Sequence, residues 1–173
     1  MELGLFLIRA VVGLTLAAHG AQKLFGAFGG HGIAGTGGFF ESIGFKPGRP
    51  MALLAGLGET LGGLAFAAGL LTPLAAGVIL ATMLVAIFGV HLANGFFAQG
   101  GGFELPLLLA TVALGVAFAG PGPLSLDAVF GLDLAGAQWG LIALGLGVIG
   151  AMPPLLARSA TMRQGGSVAG ARR

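Results

Sequence analysis

Of 173 residues, 56% are hydrophobic and only 8% are charged, about a third of the charge that a soluble domain presents to water. That excludes a water-soluble globule, and it excludes a disordered chain, which needs low hydrophobicity and high charge. There is no cysteine, so disulfides, thiolate metal sites and dithiol redox chemistry are excluded too. Net charge is only +2, and Arg158, Arg163, Arg172 and Arg173 gather near the C-terminus. Such a distribution orients a chain in a membrane and is not a nucleic-acid surface.

A transmembrane helix takes roughly 20 mostly apolar residues, and the chain offers five such stretches. They run over about 3–24, 51–71, 73–93, 104–119 and 139–157. Gly13, Gly20, Gly56, Gly62, Gly63, Gly69 and Gly77 would weaken soluble helices, but in lipid they let backbones approach closely. The N-terminus lacks the basic region of a signal peptide, and Glu2 and Arg9 flank or interrupt its apolar run. Between the first two spans, Phe39, Phe40 and Ile43 lie at helical spacing beside Glu41 and Ser42. That pattern suits either a short amphipathic segment at the membrane interface or a loop packed over the bundle mouth. Thr72-Pro73 makes a tight turn, so the second and third helices form a hairpin. Trp139 is an interfacial anchor at the start of the fifth. Residues 158–173 read as a basic, disordered cytoplasmic tail.

The expected fold is therefore all-α, a polytopic membrane helical bundle in one domain over 1–157. Lys23, Lys46 and Arg49 flank the first loop. With five spans they share a side with the tail arginines, which places the N-terminus outside and the C-terminus in the cytoplasm.

Ionisable residues inside spans are costly and usually face the bundle interior. Arg9, Gly13, Leu16, Gly20 and Lys23 share one stripe of the first helix, with His19 at its edge. Glu59 shares a face of the second with Gly56 and Gly63. His91 and Asn94 end the third helix, and Glu104 opens the fourth. His19, Gln22, Lys23, Glu59, His91, Asn94 and Glu104 thus converge on one membrane half. His19, Gln22, Lys23, His91 and Asn94 are the expected ligand-binding groups, with Glu59 and Glu104 as candidate proton carriers. Arg9 is expected to pair with Glu59, which would offset the cost of burying either charge. Simpler roles compete: Lys23 as a snorkelling lysine, Glu104 as a carboxylate favoured by a helix dipole. No metal site is expected, and two histidines alone are a weak case for haem.

At these residues the sequence resembles the bacterial DoxX family. The blocks are His19-Gly-Ala-Gln-Lys-Leu-Phe-Gly26, Gly58-Glu-Thr-Leu-Gly-Gly63 with Gly69-Leu-Leu-Thr-Pro73, Asn94-Gly-Phe-Phe97, Gly101-Gly-Phe-Glu104, and Gly120-Pro-Gly-Pro-Leu-Ser-Leu-Asp127. The resemblance implies a four-helix inner-membrane bundle, here extended by a fifth C-terminal helix. It also implies kinship with the membrane subunit of an archaeal thiosulfate:quinone oxidoreductase.

Three functions fit the sequence. One is a membrane oxidoreductase component that binds a quinone and a redox partner; quinone is the only cofactor expected, and the chain carries none of its own. The second is a non-catalytic scaffold docking a soluble oxidoreductase, and the third a small-solute transporter. Glycine- and alanine-lined faces would also serve a homodimer.

Overall fold

The computed structural model describes residues 2–170. Among them every regular element is helical. The long helices are α1 (Glu2–Phe25), α3 (Gly48–Ala68), α4 (Thr72–Ala86) and α7 (Ala137–Gly170), with shorter α2 (Gly32–Ser42), α5 (Glu104–Ala119) and α6 (Leu126–Val129). Past Ala86, α4 continues through a π turn, Ile87–His91, and a 3-10 turn, Leu92–Asn94. Four helices, α1, α3, α7 and α4 with its continuation, are long and apolar enough to cross a membrane.

Close contacts between glycines fix the directions of the helices. A Cβ at Gly13 would strike the Gly63 carbonyl, and one at Gly20 the Gly56 carbonyl, so α1 and α3 run antiparallel with their backbones nearly touching. Lipid tails are as apolar as leucine, so close backbone packing is what associates such helices. Along α1, Arg9, Gly13, Leu16 and Gly20 are buried, while Leu3, Leu7, Val11 and Leu14 on the opposite face are exposed. Gly58 and Gly62 of α3 face Thr82 and Val78 of α4, which is the expected hairpin. Gly77 packs on Ala143 and Leu146, and Gly147 on Leu80, so α7 runs parallel to α4. The 16-residue α5 therefore returns the chain between them, and the two ends of the bundle's chain lie on opposite sides. α4 is the most deeply buried of the four long helices, with Ala75, Ala76, Ile79, Leu80 and Met83 packed in one cluster with Leu109, Ala113 and Val116 of α5 and Ala143 of α7. A helix apolar all round belongs in the centre.

The α3–α4 turn explains itself from its residues. Gly69 takes the left-handed conformation (φ 65°) that ends α3, as glycine does most cheaply. Leu71 is also left-handed (φ 45°), a strained state for a side chain with a Cβ. Asp127 holds it there: its carboxylate accepts the Leu71 and Thr72 N–H groups at 2.6 and 2.9 Å and the Thr72 hydroxyl at 2.7 Å. A carboxylate from α6, distant in sequence, thus caps the positive end of α4.

Of the two readings of the first loop, the helical one holds: residues 32–42 form a helix. The segment from Arg158, expected to be disordered, continues α7 as helix to Gly170; the rest of the expected tail, Arg172 and Arg173 included, lies outside the described residues. Trp139 donates from Nε1 to the Asp133 carbonyl at 3.1 Å, tying the start of α7 to the loop before it.

Candidate functional site

The last turn of α1 brings Lys23 to α3, where its ammonium donates to Glu59 Oε2 at 2.5 Å. This is the one ion pair among the described residues, with Lys23 24% and Glu59 6% exposed at the side chain. The expected Arg9–Glu59 pair is therefore corrected. The reason is directional, because side chains on a helix lean toward its N-terminus. Since α1 and α3 are antiparallel, Lys23 leans toward the level of Glu59, and Glu59 leans toward Lys23. Arg9 leans the other way. It lies about 21 Å from Lys23 along α1 at 1.5 Å per residue.

Arg9 is fully buried at the far end. Its Nη2 donates to the Leu124 carbonyl, the guanidinium packs where a Cβ at Gly69 would sit, and Asp127 supplies the compensating negative charge. Its Nε and Nη1 have no hydrogen-bond partner among the described residues.

Near Lys23 the polar groups order one another. His19 Nδ1 lies 3.1 Å from Gln22 Oε1, and Gln22 Nε2 donates to the Phe28 carbonyl at 3.2 Å. The amide's orientation makes Oε1 the acceptor, so His19 carries a proton on Nδ1. His91 Nδ1 sits 2.7 Å from the Gly101 carbonyl, which fixes the same tautomer, and Asn94 Nδ2 donates to that carbonyl at 3.2 Å. The π turn, rather than a further turn of α-helix, carries His91; such bulges often mark functional positions. In both histidines Nε2 is left to accept from a ligand, or to donate to it once protonated.

These groups border a cavity of about 570 Å³. Its polar lining comes from His19, Lys23, Glu59, Thr82 and His91, and its apolar walls include Leu16, Met51, Leu54, Val78, Met83 and Leu109. Four of the expected residues, His19, Lys23, Glu59 and His91, thus share one chamber. Gln22, Asn94 and Glu104 do not line it. Gln22 and Asn94 stand behind the two histidines, and Glu104 closes the 95–103 loop by accepting the Ala98 N–H at 2.9 Å. Among the described residues no group of three or more potential metal ligands occurs.

The 39–45 segment covers the chamber, in line with the reading of a segment packed over the bundle mouth. Phe39, Phe40 and Phe45 line it, and Phe45 seats its ring against Gly89, where a Cβ would collide. Arg158 of α7 holds this cover: its Nε donates to the Ile43 carbonyl at 2.9 Å, and its guanidinium lies 5.6 Å over the Phe45 ring. The aromatic spacing in 39–45 was the available signal. Nothing local to Arg158 distinguished it from a membrane-flanking charge.

Comparison with known proteins agrees with this architecture. The DoxX family profile matches residues 4–92, which include nearly all of α1, the whole of α3 and α4, and every polar residue of the chamber. A Haemophilus influenzae protein termed "Uncharacterized protein" is 35% identical over 130 residues, covering 71% of this chain and 87% of that relative. No solved structure gives a significant match. With its profile match spanning the helices that build the chamber, the chain belongs to the DoxX family of membrane proteins.

Proposed function

We propose that this protein is the membrane component of an oxidoreductase system and binds a quinone in the chamber. The observation that carries the reading is a part-buried Lys23–Glu59 pair flanked by two histidines of fixed tautomer on the lining of an apolar cavity. A volume of about 570 Å³ suits a small organic ligand. Reducing a quinone to a quinol consumes two electrons and two protons. Hydrogen bonds to its two carbonyl oxygens and a protonatable pair nearby are what that chemistry requires. Protonated His19 and His91 would donate to the quinone oxygens, and their neutral Nε2 atoms would accept from the quinol hydroxyls. Glu59, exchanging protons with Lys23, would resupply them. Electrons come from a soluble partner oxidoreductase.

The same reading places the protein in a bacterial inner membrane. Lys23, Lys46, Arg49, Arg158 and Arg163 lie toward the chamber's end of the bundle, which the positive-inside rule assigns to the cytoplasm. The C-terminus is then cytoplasmic and the N-terminus external. At 34 residues α7 is about 50 Å long, well beyond the ~30 Å hydrocarbon core. Its basic end offers a docking point for the partner. Scaffolding alone is the second reading, and that projecting helix favours it.

Purification from native membranes, with bound lipids extracted and identified, tests the proposal. Stoichiometric quinone is the expected result. A soluble oxidoreductase recovered without quinone would support the scaffold reading, and solute flux through liposomes holding this chain alone would support a transporter.

A further inference from the structure

A second cavity, of about 330 Å³, lies between α3 and α4 and has a lining of leucine, valine, alanine and glycine side chains. Leu54, Gly58, Leu74 and Val78 line both cavities, so the two spaces share a wall. From there the groove runs away from Lys23 and His91. It passes Leu61 and Ala65 on α3 and ends at Leu70 and Leu71 of the turn. Along α3 it extends about 10 Å beyond the shared Gly58, seven residues of helix rise to Ala65, and on the α4 side it runs from the shared Leu74 to Leu71 in the turn. Its outer rim is exposed, with Leu54 at 59%, Leu61 at 61% and Leu71 at 48%, so it opens sideways toward the acyl chains. Its bed is shaped by missing side chains: a Cβ at Gly62 would lie 3.1 Å from Val78 Cγ1, and one at Gly58 3.1 Å from Thr82 Oγ1.

We infer that this groove is a tail-binding subsite, which takes the isoprenoid or alkyl chain of a membrane-dissolved ligand whose polar head occupies the chamber. The inference rests on the quinone reading for the identity of the head. It adds that the ligand enters laterally from the bilayer and is a long-chain species. A purely apolar groove discriminates little between chain types, so it selects for length: a tailless ring leaves the groove empty, and a longer chain fills it.

The test uses purified full-length protein and a quinone analogue with a photoreactive diazirine at the end of a ten-carbon tail. Irradiation should label Leu61, Leu70 or Leu71, and excess unlabelled long-tailed quinone should remove the label. A parallel series of quinones with no tail, one isoprene unit and two should show Kd falling at least tenfold along the series. In Gly62→Leu that gain should shrink at least fivefold while tailless quinone binds as in wild type. The wild-type labelling and tail series stand without the variant if it fails to fold. Label spread equally over lipid-facing Leu3, Leu7 and Leu14 of α1, or a Kd indifferent to tail length, would overturn the subsite and leave the quinone reading intact. Groove label displaced by a long-chain alkyl lipid, but not by any quinone, would uphold the subsite and overturn the quinone reading.

Discussion

The bundle has two polar ends that solve the same problem in opposite ways. At the Asp127 end every carboxylate interaction is spent on backbone and hydroxyl groups of the α3–α4 turn. Arg9 is packed against Gly69 and the Leu124 carbonyl beside it. Asp127 and Arg9 are both fully buried and neither lines the chamber, while Arg9 Nε and Nη1 lack a hydrogen-bond partner among the described residues. At the Lys23 end the charges face a cavity, one partner remains 24% exposed, and two histidines keep a ring nitrogen free of partners among the described residues. A buried carboxylate that spends its hydrogen bonds on the backbone rigidifies a fold, whereas poised groups beside a cavity suit a ligand. The first end holds the bundle and the second uses it.

Breaking the first end should cost most. Asp127→Ala leaves two N–H groups and a hydroxyl unpaired and frees a strained Leu71, so thermal unfolding in detergent should show a loss of about 3–5 kcal/mol. Asp127→Asn, which keeps an acceptor, should lose less. Between the two ends, Gly63→Val would push a side chain into the Gly13 carbonyl and the Ala17 N–H. Overpacking of that kind costs about 1–3 kcal/mol and should be measurable in the same unfolding assay.

The second end should tolerate change better. Lys23→Met strands Glu59, but the pair is partly wetted, so about 1–3 kcal/mol is expected, less than for a fully dry pair. The double variant Lys23→Met/Glu59→Gln should recover most of it, which a double-mutant cycle would show. The smallest effect sharpens the contrast between the ends. Arg9→Leu and Glu59→Gln should add to within about 0.5 kcal/mol, as independent sites do. A large coupling would mean that the two ends communicate.

Hydropathy made the helices legible, because each span is a sustained apolar run with punctuation at Gly69 and at Thr72-Pro73. Depth was legible as well: Lys23, Glu59 and His91 could be brought to one level by counting residues. Pairing was harder. Arg9 and Glu59 share inward faces, and only the lean of side chains on antiparallel helices shows that they point apart. That rule was available in the sequence once the hairpin order was granted. The Asp127 cap and the Arg158–Ile43 clasp were not, since each joins segments far apart in sequence through a single polar contact that no periodicity announces. The basic charge of the tail suggests disorder, while α7 carries on as helix through Pro153 and Pro154 to Gly170.

The most direct test of a working end and a holding end is quinone binding by the folded Lys23→Met/Glu59→Gln double variant, titrated beside wild type and Asp127→Asn. At least tenfold weaker binding is expected in the double variant at near-normal thermal stability, with near-normal binding in whatever fraction of Asp127→Asn remains folded. Unchanged affinity in the double variant, with stability also unchanged, would contradict that division of roles.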